Sequence, residues 1–213
     1  MPRQIQMERL EESSDFLACC QQAEEADACI ERMHFLPGVY EQMDAYQLDV
    51  RQCVLTRITL LESKCMKSSF LNCVFDHCDF SNVDFSECRF HQCRFQNCKL
   101  VGSNLAEASL YQTQYKDCHC GYANFSYAKV KYVDMQACNL QEADWNQVKS
   151  QNWILDHCNL QRAAFFHTQL AGMDLRTCDI RGIRIAVEDL KGAVISPEQA
   201  IDLVAYLGVE VKD

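Results

Sequence analysis

Along most of this chain, large apolar residues recur at every fifth position. Every residue numbered by a multiple of five from Leu55 to Ile195 is apolar, aromatic or cysteine, except Ser150. The densest part of the run reads Phe70, Phe75, Phe80, Phe85, Phe90, Phe95, Leu100, Leu105 and Leu110. The position two before each centre is also restricted, with Cys, Ala, Ser, Thr or Val filling 24 of the 29 places. The unit is therefore small-x-large-x-x, as at Cys78, Asp79, Phe80 and again at Ala123, Asn124, Phe125. Weaker members at Ile30, Phe35 and Tyr40 carry it towards the N-terminus. A helix would need a period of 3.6 and a strand a period of 2, so neither explains this spacing. Two inward positions in every five residues imply a coil that turns a corner once per unit.

This repeat resembles the pentapeptide-repeat family, whose fold is a right-handed quadrilateral β-helix. The resemblance implies an all-β solenoid with four units, or 20 residues, per rung. Rungs stacked at the strand spacing give the span 50–195 about seven turns and a rod of about 35 Å.

A solenoid must cover both ends of its core. Residues 1–27 are expected to form an N-terminal cap, with a helix over 13–27 burying Phe16, Cys19, Cys20 and Ala23. The repeats occupy 28–195, and 196–213 form a C-terminal cap. There Ser196 is a helix N-cap, Pro197 the first helical residue, and Gln199 closes a capping box. The helix is expected to reach about Leu207, with Gly208 stopping it, and Val209–Val211 to form a short strand. This cap offers Ile201, Leu203, Val204, Tyr206, Leu207, Val209 and Val211, more apolar surface than one rod end needs. These residues are the candidate homodimer interface, joining two rods end to end. A monomer with a well-packed cap is the alternative.

Ten of the 15 cysteines occupy the small inward position, and six of them (Cys78, Cys98, Cys118, Cys138, Cys158, Cys178) are 20 residues apart. Such a ladder has parallel Cβ directions at about 4.8 Å. A disulfide needs Cβ atoms at about 3.8 Å that face each other, and zinc needs converging thiolates. Packing is the expected role, with no metal and no cofactor. The six histidines (His34, His77, His91, His119, His157, His167) fall mostly on outward positions, none at a motif spacing from a carboxylate or serine. No glycine-rich phosphate loop is present. The chain is expected to be no enzyme, with no catalytic residues and no small-molecule substrate.

The balance of 30 acids against 20 bases, a net charge of -10, argues against direct nucleic-acid binding. No apolar stretch is long enough for a membrane span, and the polar start lacks the apolar core of a secretory signal. The expected location is cytoplasmic. Assigning outward positions to four faces separates the charges. Asp84, Glu87, Glu107 and Asp144 form a candidate acidic partner-binding face, while Arg89, Lys129, Lys131 and Lys149 mark a basic one.

Further motifs narrow the resemblance. The stretch Gly121–Ala128, the pair Asp144 and Trp145, and the ending from Leu190 through Ile195, Ser196 and Pro197 to Leu207 and Gly208 resemble Qnr-type proteins, the quinolone-resistance branch. That resemblance implies a dimeric acidic rod that imitates duplex DNA, binds DNA gyrase or topoisomerase IV, and modulates it, with quinolone resistance as a consequence. A general protein-interaction scaffold with an unrelated partner is the competing function. Some Qnr proteins carry loops that interrupt the repeat. Here the phase never breaks, and the remaining place for an insertion is Ser150–Trp153.

Overall fold

Each small-x-large-x-x unit forms one side of a four-sided coil. The computed structural model describes residues 10–204. It is a parallel right-handed β-solenoid of about seven turns ending in a helix. We name its four faces after Phe70, Phe75, Phe80 and Phe85, one rung's inward centres.

From Ile30 onward the register between rungs is 20 residues. On the Phe70 face Ser69 pairs with Arg89, Arg89 with Ser109, Ser109 with Lys129, and Lys129 with Lys149. The centres therefore stack in columns. Phe75, Phe95 and Tyr115 lie face to face at 4.4 and 4.7 Å, and Phe125 stacks on Trp145 at 3.9 Å. Around one rung, neighbouring rings meet edge-on, as Phe70 does with Phe75 at 5.6 Å. Offset and edge-to-face contacts of this kind are the favoured aromatic geometries. The core is thus a continuous apolar thread, in which Phe90, Phe95, Leu100 and Leu105 are almost wholly buried.

The corners follow from backbone conformation. The residue two after each centre is left-handed (φ near +50° to +60°) at nearly every corner, as at Gln92, Asn97, Glu107 and Gln112. A side chain there costs about 1 kcal/mol. The offset is a hydrogen bond to the next rung, such as Gln92 N–H to the Tyr111 carbonyl at 2.9 Å.

The faces differ in how they turn. The Phe70 and Phe75 faces carry three-residue strands such as Arg89–His91 and Arg94–Gln96. The Phe80 and Phe85 faces carry short strands only in the first rungs; from there on they are joined by single bridges and closed by tight turns, where Val83 N–H donates to the Phe80 carbonyl and Cys88 N–H to that of Phe85. Cysteine placement tracks this difference. At the wide corners the thiols of Cys93, Cys98, Cys118 and Cys138 donate to the carbonyls of Phe70, Phe75, Phe95 and Tyr115 in the rung before. At most tight corners alanine, serine or valine suffices, as at Ala108, Ala123, Ala143 and Ala163. Burial pushes the Cys88 thiol up to about 12 and holds Cys65 and Cys120 far above the ordinary range. In the ladder, Cys138 is pushed up to about 12, raised by its bond with Cys118, lowered by that with Cys158, and raised by burial. These thiols stay protonated and act as small apolar side chains with a weak donor.

At Ser150 the column is broken, yet no loop intervenes. Lys149–Asp156 is one strand in register with Lys129–Gln136. Ser150 itself is exposed. Trp153, at the small position of the next unit, is buried instead, its ring 4.7 Å from that of Trp145 across the interior.

Helix α1, Phe16–Ala26, covers the first rungs. Asp15 caps it, accepting from Ala18 N–H at 2.9 Å, and Phe16, Cys20 and Ala23 are buried while Cys19 is half-buried. A strand not foreseen in the sequence, Glu11–Ser13, precedes α1 and pairs in parallel with Met33–Phe35. Its polar sequence (Glu11, Glu12, Ser13) has no apolar alternation to reveal it.

Helix α2, Pro197–Val204, closes the other end. The Ser196 N–H donates to Gln199 Oε1 at 2.8 Å, and the Gln199 N–H to Ser196 Oγ at 3.3 Å. The Gln199 amide nitrogen also donates to the carbonyls of Leu175 and Cys178, at 2.8 and 2.7 Å. The side chain that caps the helix thereby ties it to the terminal rungs.

Candidate interaction surface

In every unit three of five positions face outward, so the sides of the coil form a grid with rungs about 4.8 Å apart. What each position presents depends on whether its side chain is already used by the fold.

On the two tight faces it often is. The residue before each centre is Asp or Asn at Asp79, Asp84, Asn104, Asn124, Asn139, Asp144 and Asn159, and its Oδ1 accepts from the backbone N–H two residues on. These are Asx turns, which offer the backbone a local partner at a corner. They also join across rungs, with Asn104 Nδ2 donating to Asp84 Oδ1 at 3.0 Å and Asn124 Nδ2 to Asn104 Oδ1 at 3.2 Å.

The four acids picked out in the sequence therefore divide. Asp84 and Asp144 are half-buried turn formers on the Phe85 face. Glu87 and Glu107 lie on the next corner, both exposed and in the left-handed conformation. Glu87 is 3.6 Å from Lys67, whereas Glu107 makes no ion pair among the described residues. The larger acidic field is elsewhere. Between Glu11 and Glu62 there are eleven carboxylates against three arginines and no lysine. Within it an open groove of about 770 Å³ lies between α1 and the first rungs, lined by Glu24, Asp27, Cys29, Asp44 and Asp49.

The Phe70 face has the opposite sign. Arg89, Lys129 and Lys149 share one outward column, and His91, Tyr111 and Lys131 the column beside it. The Lys131 ammonium lies 5.9 Å from the Tyr111 ring centre and 5.4 Å from that of Tyr132.

Three histidines do meet carboxylates, contrary to the sequence reading, the loosest being His34 with Nδ1 3.7 Å from Glu12 Oε1. His77 Nδ1 is 2.9 Å from Asp76 Oδ1, and His157 Nδ1 is 2.8 Å from Asp156 Oδ1. The left-handed corner at His77 and at His157 turns the ring back onto its neighbour, an effect that residue spacing does not display. Thr177 donates to Asp156, not to the His157 ring, and holds that carboxyl below its ordinary range. The one imidazole that reaches a hydroxyl among the described residues is His34, whose Nε2 is 3.1 Å from Thr56 Oγ1. No helix among them is long and apolar enough to cross a membrane.

Of the proposed dimer residues, Ile201 is 62% exposed, Leu203 leans on the core and Val204 is half-buried. Tyr206, Leu207, Val209 and Val211 lie outside the described residues.

Two family models match the chain, the pentapeptide repeat region over residues 68–145 and pentapeptide repeats in eight copies over 151–182. Together they span more than half of its 213 residues. The chain belongs to the pentapeptide-repeat family. No curated protein matches it. Among solved structures it is similar to full-length QnrB1, described as a plasmid-mediated fluoroquinolone resistance protein, at 14% identity and a TM-score of 0.46, covering 81% of this chain and 100% of that one. It is also similar to a pentapeptide-repeat protein of the Arabidopsis thaliana thylakoid lumen, at 22% identity and a TM-score of 0.29, covering 47% and 63%. A third is HetL of the cyanobacterium Nostoc, involved in heterocyst differentiation regulation, at 17% identity and a TM-score of 0.22, covering 73% and 88%.

Proposed function

We propose that this pentapeptide-repeat protein is a cytoplasmic, non-catalytic DNA mimic that binds a type II topoisomerase, DNA gyrase or topoisomerase IV. The observation that carries the reading is a rod whose carboxylates are held at rung spacing by the core beneath them. Glu87 and Glu107 stand one rung apart on one corner, and the acids from Glu11 to Glu62 extend the negative field towards the N-terminal end. A positively charged DNA-binding saddle would be steered to such a surface. The Qnr-like ending of the sequence supports this choice of partner. A homodimer through the C-terminal cap would double the rod, with Ile201 as the exposed described residue of that interface and Tyr206, Leu207, Val209 and Val211 completing it.

The test is gyrase supercoiling and topoisomerase IV relaxation with added protein, with and without a quinolone. Inhibition that weakens in the Glu87→Lys/Glu107→Lys variant is expected, together with an altered quinolone response. Full enzyme activity at micromolar protein would reject the reading. Dimerisation is read by light scattering, where Ile201→Asp should give the monomer mass. A native protein already of monomer mass would refute the dimer.

A further inference from the structure

Elsewhere on the rod, several cations have a carboxylate within reach. Lys67 meets Glu87 at 3.6 Å, Lys99 meets Asp79 at 3.4 Å, and Arg176 meets Asp174 at 2.7 Å. On the Phe70 face Arg51 pairs with Asp49 near the N-terminal end, but from Arg89 to Lys149 no cation is paired among the described residues. Arg89, Lys129, Lys131 and Lys149 are exposed, and none is within ion-pair distance of a carboxylate among the described residues. Lys129 and Lys149 are direct register partners. Like charges placed opposite one another weaken a sheet, so this arrangement works against the fold. Beside them Lys131 lies over the rings of Tyr111 and Tyr132, whose faces hold the ammonium by cation–π attraction. The rings also give the patch an apolar shoulder.

We propose that the Phe70 face is a docking surface for an acidic polypeptide segment, laid along the stacking direction from Arg89 to Lys149. This surface is separate from the acidic one assigned to a topoisomerase and does not rest on that reading. Three rung intervals cover about 14 Å, the reach of about four extended residues. Carboxylates of such a segment would lie between Lys129 and Lys149 and against Arg89, and its backbone against the tyrosines. Charge complementarity favours a short acidic peptide over nucleic acid. A nucleic acid gains affinity by tracking many phosphates. Here four cations occupy a short patch on a chain of net charge -10, with Glu107 on the adjoining corner.

Fluorescence anisotropy of a labelled octaglutamate peptide, at low salt and with the full chain, tests this. The face variant is Lys129→Gln/Lys149→Gln, and the control is Lys67→Gln/Lys99→Gln, which removes the same charge from paired positions. The face variant should weaken peptide binding about tenfold, with the control near the native value and a labelled oligothymidine bound more weakly than the peptide. Removing the like-charge pair should leave the melting temperature unchanged or raised, so lost binding is separable from lost folding. The proposal is overturned if the native protein does not bind the peptide, if both variants weaken it equally, or if the oligothymidine binds more tightly.

Discussion

Gln199 offers a sharp test of how the solenoid is closed. Its one side chain accepts from Ser196 N–H and donates to the carbonyls of Leu175 and Cys178 at the end of the coil. Gln199→Ala removes both donated bonds and the capping box, a loss of about 2–4 kcal/mol from the bonds and the cap together. Gln199→Glu has nearly the same shape and keeps the box, but points a carboxylate at two carbonyls. At pH 7 it should cost about 3–5 kcal/mol, because an unpaired charge replaces two donors. The introduced carboxyl would have a folded pKa raised above its unfolded value. Protonation therefore favours the folded state, and the variant's deficit should shrink as pH falls from the raised folded value towards the unfolded value of about 4.3, and be largely gone below it. Urea denaturation measures the loss. Because solenoid stability is local, hydrogen exchange should place it at the amides of Leu175 and Cys178. A Gln199→Glu protein within about 0.5 kcal/mol of native at pH 7 would refute the reasoning.

Phe90→Ala should cost about 3–5 kcal/mol in urea denaturation, since its ring is buried and stacks at 5.0 Å on Phe70. Asp144→Asn should retain the turn and its stability, whereas Asp144→Ala should lose about 1 kcal/mol, separating the structural use of that residue from its charge. Iodoacetamide should modify exposed Cys29 well before buried Cys98 or Cys118, read by peptide mass mapping. The Arg176 guanidinium holds the Asp174 carboxyl down to about 2 from an unfolded value of 3.8, so its stabilisation is present above 3.8 and lost as pH falls towards 2. Hydrogen exchange at the C-terminal rungs should report that loss, and Asp174→Asn should remove it.

The core was legible because every fifth residue meets its counterpart 20 residues away in a stacked column. Phe75, Phe95 and Tyr115 could not leave that spacing without leaving the column. The substitution of Trp153 for a small residue beside Ser150 was visible as a weakened pattern, but its use as interior filler was not, since it depends on the reach of the indole across the rung. Outward positions were less legible. Asp84 and Asp144 read as surface charge because composition does not distinguish a free carboxylate from one bonded to the N–H two residues on. The recurrence of Asp or Asn before the centres of alternate pairs of faces was the available signal. The pairs at His77 and His157 depend on left-handed corners, and the strand at Glu11–Ser13, which brings Glu12 to His34, on a neighbouring rung. Both are consequences of the coil, not of local pattern. Lys129 and Lys149 were assigned to one face from the period alone, and the register makes them direct neighbours.

The central claim is that the rod stands where duplex DNA would stand on a type II topoisomerase. Competition binding tests it most directly, with the protein immobilised and gyrase passed over it in the presence of increasing duplex DNA. Mutual exclusion is predicted, with binding that weakens as salt rises and is reduced in Glu87→Lys/Glu107→Lys. Gyrase binding that duplex DNA leaves unchanged, or no gyrase binding at all, would contradict it.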